Sequence, residues 1–456
     1  MNIVPQNQPH SELLCSKTSN FLDEFHVSRI LKACNAYKVK GFPVRDVIQV
    51  AVENGFSNRS FYQKLKEASR IPFAKDTFYR LMNSSSINWR KFTLQLGAGI
   101  IQKIEPLTGT DRRNVLIVDD SLFSRARSKQ VELLAKVYDH VTHKFTKGFR
   151  MLTLGWSDGN TFMPLDHCLL SSANRENRLQ EASDKVDARS NGGKQRKLAQ
   201  TKAPDVVHTM LKGAKSAQIP AQYVLFDTWF CSPASIIETK NIGYDVIAMV
   251  KKTDNIHFRY NGVMQSAQAI FRTSKKRRGV SKYLLSVEAE AVKDGKSIPV
   301  KLVFVRNRNN KQDYLILVST DVSLKEEEII QTYGKRWSIE VFFKMCKSFL
   351  KLGKESHAIS YDAMTSHVAI VFTRYMMLSL EQRRNSDGRS FGGMYYDAYD
   401  ELQDLHYSSA LILILKELID AVKKRMLFME KELDSMLEAF IENLPHLRNA
   451  CLKQCV

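Results

Sequence analysis

The chain has 456 residues, about three times the length of a typical single domain, so we expect roughly two to four structural units around at least one large core. With 44% apolar and 25% charged residues, the composition excludes both wholesale disorder and a small disulfide-stapled scaffold. The 68 Lys and Arg residues against 48 Asp and Glu give a net charge of +20, which favours nucleic acid as a partner; the alternative is a protein that is merely basic.

No segment of the sequence is apolar over the roughly 20 residues that a membrane-spanning helix needs. The first ten residues, Met1–His10, are polar and lack the apolar centre of a signal peptide, so we expect a cytoplasmic protein that makes no use of a membrane. With DNA as its partner it would be associated with the nucleoid. The seven scattered cysteines match neither a disulfide framework nor a zinc pattern and are predicted to be reduced thiols.

The N-terminal stretch Phe21–Gly97 has apolar residues at three- and four-residue spacing, which predicts about three to five short helices. Two segments combine aromatic and basic residues as DNA-docking helices do, namely Arg59–Lys64 and Thr77–Arg80. Asp76 and Thr77 are predicted to cap a helix. A small helical bundle with a solvated basic face explains the same pattern, and the sequence leaves both interpretations open.

Two short runs farther along the chain, Val115–Val118 and Tyr223–Phe226, are uninterruptedly apolar. Such runs are typical of central strands that are buried on both faces. The first run ends at Asp119-Asp120 and the second ends at Asp227. The sequence therefore predicts carboxylates at the ends of two buried strands.

The remaining segments complete the outline. An Asp-Gly pair within Ser157–Asn160 predicts a hairpin between two more strands. The polar, basic stretch Ala173–Lys202 predicts a mobile loop. From Tyr244 to about Asp321 the sequence predicts hairpins of a β-rich module, and beyond Ser323 it predicts helices to the end.

The helix predicted from Glu326 past Lys347 carries one narrow polar stripe when its residues are placed at about 100° each. The stripe consists of Tyr333, Arg336, Glu340, Lys344 and Lys347. Most of the remaining circumference is an apolar arc of Ile339, Val341, Phe342, Phe343, Met345 and Cys346. A helix with so wide an apolar arc packs into a core, so the stripe is predicted to face a cleft or a ligand.

Two interpretations of Glu340 are open. It can form an intrahelical ion pair, since Glu340 and Lys344 stand in the favourable i, i+4 order. Alternatively, Glu340 joins the two strand-terminal carboxylates upstream, where three negative charges need a cation and oxygen ligands suit magnesium, with manganese as a substitute. Two such ions would support phosphoryl transfer by activating the attacking oxygen and stabilising the leaving one. The basic residues of the stripe would then hold nucleic-acid phosphates.

The stripe also carries a family resemblance. The segment Tyr333–Lys347 fits the pattern Y-x2-R-x3-E-x6-K and resembles the signature of cut-and-paste insertion-sequence transposases of the DDE class. Asp119-Asp120-Ser121 and Asp227-Thr228-Trp229-Phe230 resemble the first and second catalytic motifs of that family. The resemblance extends over about residues 114–351.

The resemblance implies an α/β fold, in which a ribonuclease H-like catalytic core is interrupted by a β-rich insertion and flanked by helical N- and C-terminal regions. The implied division of the chain is a helical DNA-binding region at 1–105, the first part of the core at 106–232, the insertion at 233–322, the second part of the core with the Glu helix at 323–385, and a helical C-terminal region at 386–456.

The resemblance also implies roles for single residues. Asp120, Asp227 and Glu340 would be the catalytic residues and would bind two Mg²⁺ ions. The residues expected to contact DNA are Tyr333, Arg336, Lys344 and Lys347. Neighbouring side chains of a strand point to opposite faces, so only one of Asp119 and Asp120 can reach the metals. The family pattern, in which the Asp precedes Ser or Thr, favours Asp120.

We therefore expect a magnesium-dependent DNA transposase that binds the ends of its insertion sequence, cleaves them and joins the 3′ ends to target DNA. It would act as a homodimer on double-stranded DNA. One alternative is a metal-dependent nuclease of the same fold that never joins strands. The other is a DNA-binding protein without strand-joining activity, against which the intact Asp, Asp, Glu set argues.

Overall fold

A computed structural model describes residues 17–55, 71, 73–109, 112–139, 142–278, 281–307 and 313–385. All of them fall within the unit Met1–Asp387. The expected helical C-terminal region, 386–456, lies outside the described residues, and so does the aromatic and basic segment Arg59–Lys64.

The described helices, in chain order, are α1 (17–24), α2 (Val27–Ala33), α3 (Val44–Asn54), α4 (Lys75–Met82), α5 (Trp89–Ile104), α6 (Asn191–Ala199), α7 (Ala203–Ser216), α8 (Pro233–Ile242), α9 (Ala267–Thr273), α10 (Glu326–Gly334), α11 (Trp337–Ser348) and α12 (Tyr361–Asn385). Short 3₁₀ turns occur at Glu105–Leu107 and Arg175–Asn177. None of the described helices is long and apolar enough to cross a membrane.

The described strands are β1 (Val115–Ser124), β2 (Ala135–Asp139), β3 (Lys144–Ser157), β4 (Phe162–Leu170), β5 (Tyr223–Phe226), β6 (Asp245–Met249), β7 (His257–Tyr260), β8 (Val263–Ser266), β9 (Tyr283–Lys293), β10 (Lys296–Arg306) and β11 (Tyr314–Ser319). They form one mixed sheet in the order β2-β3-β1-β5-β6-β11-β10-β9-β7-β8, and β4 pairs with β3.

The centre of this sheet is the ribonuclease H-like core. Strands β1, β5 and β6 run parallel, and β3 and β4 add antiparallel strands beside β1. All four residues of Val115–Val118 and all of β4 are buried, because helices cover both faces of these strands. The predicted hairpin at Ser157–Asn160 joins β3 to β4, and Gly159 adopts the positive φ of 97° that its turn requires. The expected fold class is confirmed.

Residues that follow β5 extend the core sheet before the hairpins begin. The segment expected to open the insertion at residue 233 forms helix α8 and then β6, which pairs with β5 in parallel and so extends the core sheet. The hairpin strands β7 to β10 follow, and β11 returns antiparallel to β6. A β-rich run cannot reveal whether a strand pairs with the core or with its sequence neighbours, since that depends on long-range pairing.

Two local predictions are wrong. The stretch Ala173–Lys202 is not a mobile loop throughout, because helix α6 forms there, capped by the Ser190 side chain, which accepts a hydrogen bond from the Gly193 amide at 3.0 Å. Arg196 of this helix is 4% exposed and forms ion pairs with Glu132 and Asp362. These tertiary contacts override the low helix propensity of a Gly-rich, polar segment.

Asp76 and Thr77 do not cap α4, contrary to the prediction. The helix begins at Lys75, its N-cap residue is Ala74, and no side chain caps it. The prediction of short N-terminal helices is otherwise confirmed within the described residues. The four described cysteines are buried and form no disulfide.

One buried arginine joins the N-terminal helices to the core. Arg374 of α12 is 1% exposed, and its guanidinium donates to the carbonyl oxygens of Ala51 at 2.6 Å and Val52 at 3.0 Å, in the last turn of α3. It also donates to Leu350 O at 3.0 Å, just beyond α11, and forms an ion pair with Glu355 at 2.6 Å. Carbonyls at a helix end lack intrahelical partners, so Arg374 satisfies groups that burial would otherwise leave unpaired.

We expect Arg374→Ala to lower the free energy of unfolding by about 3–5 kcal/mol, since it leaves Glu355 and the helix-end carbonyls buried without their partner. Urea and thermal unfolding of the whole chain measure this effect. The control is Arg189→Ala, whose side chain is 91% exposed and whose loss should have little effect on stability. Equal changes in both variants would contradict the role of Arg374.

Candidate active site

Asp119, within β1, and Asp227, just after β5, lie close together in the core sheet. β1 and β5 are parallel neighbours in which Ile117 pairs with Leu225, and each aspartate lies two residues beyond its member of that pair. Because side chains alternate along a strand, equal offsets place the two carboxylates on the same side of the sheet. The negative charge of Asp227 contributes to the raised pKa of Asp119, and an effect of this kind requires the two carboxylates to be close to each other.

The Asp119 carboxylate is crowded and poorly solvated. Its side chain is 14% exposed. Burial is the main cause that raises its pKa from 3.8 to about 7; the Arg336 guanidinium opposes the rise, while Asp227 and Asp120 add to it. The two oxygens of Asp119 accept hydrogen bonds from the Asp120 amide at 2.8 Å and from Arg336 at 2.8 Å.

Arg336 is the cation that links the strand carboxylate to the helix carboxylate. Its Nη1 donates to Asp119 Oδ2, and its Nη2 donates to Glu340 Oε1. Burial disfavours the charged guanidinium, but Tyr333, Asp119 and Glu340 together raise the pKa of Arg336 above its ordinary value, so it stays protonated. The structure therefore brings Asp119, Asp227, Arg336 and Glu340 into one cluster.

Asp120 follows Asp119 on β1, so its side chain points to the opposite face of the strand. It forms an ion pair with Arg150 of β3. Arg150 in turn lies over the indole of Trp229, with its Cζ 4.9 Å from the ring centroid. The sequence favours Asp120 because Ser121 follows it. In the structure, however, Asp119 is the one that contacts Arg336, which in turn contacts Glu340.

The predicted helix of the stripe is two helices, α10 and α11, joined at Lys335 and Arg336, whose backbone dihedrals stay helical. The Lys335 Nζ donates to the carbonyl oxygens of Arg113 at 2.6 Å and Asp158 at 3.2 Å, which ties the junction to the core. Ile339, Phe342, Phe343 and Cys346 of the apolar arc are buried as expected. Val341 is 44% exposed, so the arc is narrower than predicted.

The other residues of the stripe differ in exposure. Lys347 is partly buried and donates to Ser121 Oγ at 2.5 Å; burial lowers the pKa of Lys347, and the charges of Asp139 and Asp120 oppose this. Lys344 is exposed. The Tyr333 hydroxyl is buried and has no hydrogen-bond partner among the described residues, and burial raises the pKa of Tyr333 above its ordinary value. An orphan hydroxyl beside two carboxylates is suited to a polar ligand that enters the site.

The fit of a divalent metal can be tested on these residues. Within the described ranges, no three His, Cys, Asp or Glu side chains are close enough to hold an ion together. Arg336 instead provides the positive charge between Asp119 and Glu340. Even so, the donors are carboxylate oxygens, which magnesium prefers, and the raised pKa of Asp119 indicates a carboxylate that a cation would stabilise. The residues therefore fit a metal once Arg336 is displaced.

One further signal in the sequence favours Asp119 as the neighbour of Asp227. Both Val115–Val118 and Tyr223–Phe226 are four-residue apolar runs, and Asp119 and Asp227 are the residues that directly follow them. Equal offsets from two parallel strands predict the same face. The contact between Arg150 and Trp229 could not be predicted from the sequence, because it joins a strand to a loop that is far away in the chain.

Comparison with known families identifies the class of protein. The family model described as DDE superfamily endonuclease matches residues 54–298, more than half of the chain. The chain belongs to the DDE superfamily of endonucleases. A second model, described as archaeal putative transposase ISC1217, matches residues 222–381 and confirms the resemblance to insertion-sequence transposases. No curated protein matches the chain.

The DDE endonuclease is thus an enzyme of the transposase type, and DNA is its partner. The first match covers Asp119, Asp120 and Asp227, and the second covers Asp227, Glu340 and the whole segment Tyr333–Lys347. Enzymes of this superfamily generally use divalent metals.

We expect Asp119→Asn to stabilise the metal-free enzyme more at pH 8 than at pH 5. Folding raises the pKa of Asp119 to about 7, so the stability that its carboxyl contributes is present below about pH 4 and is lost as the pH rises to 7. The gain should grow as the pH rises from 5 to 8, because the carboxyl loses its proton over that range. Urea unfolding in EDTA at the two pH values measures it.

The control for this experiment is Asp187→Asn. Hydrogen bonding to Arg189 lowers the pKa of Asp187, which is fully exposed, so its removal should bring no gain at pH 8. An equal effect of Asp119→Asn at both pH values would mean that Arg336 compensates the Asp119 charge completely.

Proposed function

We propose that this DDE endonuclease is an insertion-sequence transposase, which binds the ends of its element, cleaves them by metal-dependent phosphoryl transfer and joins the 3′ ends to target DNA. The observation that carries the proposal is the cluster itself: Asp119 and Asp227 at equal offsets on neighbouring parallel strands, with Glu340 linked to Asp119 through Arg336. If Glu340 and Arg336 formed only an ion pair within their helix, Asp119 and Asp227 would not be needed next to them.

In this proposal Asp119, Asp227 and Glu340 hold the magnesium ions, and Asp119 replaces Asp120 as the first ligand. Bound metal would supply activation of the attacking oxygen and stabilisation of the leaving one. Arg336 keeps Asp119 and Glu340 oriented in the free enzyme, and it is released to a DNA phosphate when the metals enter. Its planar guanidinium suits both partners, since carboxylates and phosphates accept the same paired donors.

The phosphate backbone of the DNA is held by the remaining residues of the stripe. The ammonium of Lys347 lies beside Ser121 and close to Asp120, so a phosphate bound there is near the carboxylates. The exposed Lys344 extends the positive surface outward, and the Tyr333 hydroxyl can donate to a phosphate oxygen inside the site. The net charge of +20 favours approach of the polyanion. Because an element has two ends, we propose that two copies act together on DNA.

We predict that Asp119→Ala, Asp227→Ala and Glu340→Ala each lower DNA cleavage by roughly 10²-fold or more, with DNA binding largely retained, because they remove metal ligands and not phosphate contacts. Asp120→Ala should keep measurable cleavage. The assay is a supercoiled plasmid carrying the element's ends, incubated with enzyme and Mg²⁺, with a gel shift for binding.

This assay separates the candidate functions. Joined products support a transposase, nicks alone support a nuclease of the same fold, and a gel shift without either supports a DNA-binding protein. Full activity of Asp119→Ala together with an inactive Asp120→Ala would show that Asp120, and not Asp119, is the first metal ligand.

We predict that Lys347→Ala slows strand joining and lowers the salt dependence of DNA binding by about one counterion, with the melting temperature nearly unchanged, because the side chain lies outside the apolar arc. The matched control is Lys212→Ala on α7, whose side chain is 63% exposed and pairs with Glu238. A large drop in melting temperature with a proportional loss of joining would show that Lys347 serves the fold instead.

A further inference from the structure

Strands β2 and β3 extend beyond the rest of the sheet as a two-stranded ribbon. β1 ends at Ser124, which pairs with Gly148 of β3, and β4 pairs with β3 only after that point. From Lys144 to Lys147, β3 pairs with β2 alone among the described strands. We call the two paired segments, Ala135–Asp139 and Lys144–Gly148, the β2–β3 ribbon.

One face of the ribbon presents two aromatic rings between lysines. Residues that pair directly across two strands share a face, and the pairs here are Tyr138 with Phe145 and Lys136 with Lys147. Phe145 is 73% exposed and Tyr138 is 39% exposed. Their rings form an edge-to-face pair with centroids 5.3 Å apart, and neither ring belongs to the hydrophobic core. Exposed apolar surface of this kind indicates a contact surface for a partner.

The ribbon and the loop before it are strongly basic. Residues 125–147 contain six Lys and Arg residues and two acidic ones. One of the two acids, Glu132, is 9% exposed and is paired with Arg196 inside the protein. The exposed basic side chains of this segment are Arg127, Lys129, Lys136 and Lys144. The surface therefore attracts a polyanion and repels a second copy of itself.

The ribbon lies next to the candidate active site. Its other face carries Asp139, whose negative charge opposes the lowering of the Lys347 pKa, which requires the two groups to be close. The ribbon begins at the level of Ser124, five residues beyond Asp119 on the same strand, or about 17 Å away. Because base pairs stack about 3.4 Å apart, a duplex with a phosphate at the site reaches the ribbon within about five base pairs.

The shape of the ribbon fits a groove of double-stranded DNA. The major groove is about 12 Å wide and admits a two-stranded β-ribbon. An aromatic ring that leaves water on entering the groove gains free energy from its burial, and lysines beside it neutralise the phosphates that line the groove. The aromatic pair and the neighbouring lysines of this face match both requirements.

The residue types of the ribbon favour target DNA over the ends of the element. The face carries lysine, tyrosine and phenylalanine, and both strands lack the Arg, Asn and Gln side chains that bind base edges through paired hydrogen bonds. A surface of this kind binds DNA of any sequence. The ends of an element have to be distinguished from other DNA, whereas a target is taken from unrelated sequences.

We propose that the β2–β3 ribbon docks on the duplex of the target DNA, within about five base pairs of the point where the element's end is joined. The rings of Phe145 and Tyr138 lie in a groove, and Lys136 contacts a phosphate. This inference rests on the proposed function, since only a strand-joining enzyme has a target.

The test measures the affinity of the whole chain for a fluorescent duplex of unrelated sequence, by anisotropy at several salt concentrations, with Ca²⁺ present to prevent turnover. Phe145→Ala should bind this duplex roughly tenfold more weakly, because the ring no longer leaves water on binding. Lys136→Gln should lower the slope of log affinity against log salt by about one, because one phosphate contact is lost. Both side chains are exposed, so the melting temperature should stay the same.

The chain offers a matched control for each variant. Val263→Ala removes another exposed apolar side chain, at 59%, from the β7–β8 hairpin at the opposite end of the sheet. Lys212→Gln removes an exposed lysine from α7. Both controls should bind the unrelated duplex as the wild type does. If Phe145→Ala and Lys136→Gln also bind it as the wild type does, the ribbon is not a docking surface.

Two further measurements separate the target from other occupants of the ribbon. If Phe145→Ala loses as much affinity for a duplex that carries the element's end, the ribbon belongs to the ends and the target assignment is wrong. If Phe145→Ala changes the mass of the DNA-free protein in sedimentation, a second copy covers the ribbon instead. A greater loss on the unrelated duplex, at unchanged mass, supports the proposal.

The plasmid assay keeps this inference separate from the proposed function. Phe145→Ala should lower strand joining relative to cleavage, and joining at the rate of the wild type would overturn the role of the ribbon while the transposase stands. Binding of unrelated duplex that depends on Phe145, by a wild type that neither cuts nor joins, would overturn the transposase and leave the ribbon as a duplex-binding surface.

Discussion

The candidate active site depends on the compensation of the negative charges that β1, β5 and α11 bring together. Asp119 and Asp227 are brought together by the parallel pairing of β1 and β5, and burial makes their charge expensive to hold. Arg336 offsets that charge by bridging Asp119 to Glu340. In the proposed function these carboxylate oxygens would also hold a divalent cation, and the metal would then compete with Arg336 for one position.

The proposed competition would explain why one helix carries residues of opposite charge side by side. In the structure Arg336 pairs with Asp119 and Glu340. In the proposed function the same guanidinium would also bind a DNA phosphate, because it presents the same donors to a carboxylate and to a phosphate.

The support of the site extends to the N-terminal helices. Arg374 bonds at once to the end of α3, to Leu350 just beyond α11 and to Glu355. Helix α11 carries Glu340, so the N-terminal helices and the helix that bears this carboxylate share one buried anchor. Rigid support of this kind keeps catalytic side chains in place better than flexible loops do.

The sequence by itself determined the class of the fold, the two buried apolar runs that aspartates follow, and the helix that bears Glu340, because apolar runs and helical spacing are local properties of the chain. The predicted end of the first strand was wrong, since β1 continues through Asp119 and Asp120 to Ser124. The sequence also predicted most of the buried arc of α11. It failed at α6, where the Arg196 ion pairs decide the outcome. Only the tertiary structure showed that Asp119 contacts Arg336 while Asp120 contacts Arg150, since these contacts depend on how β1 pairs with its neighbours. The pairing of Arg150 with Trp229 also had to await the fold, because residues far apart in sequence meet only once the sheet has formed.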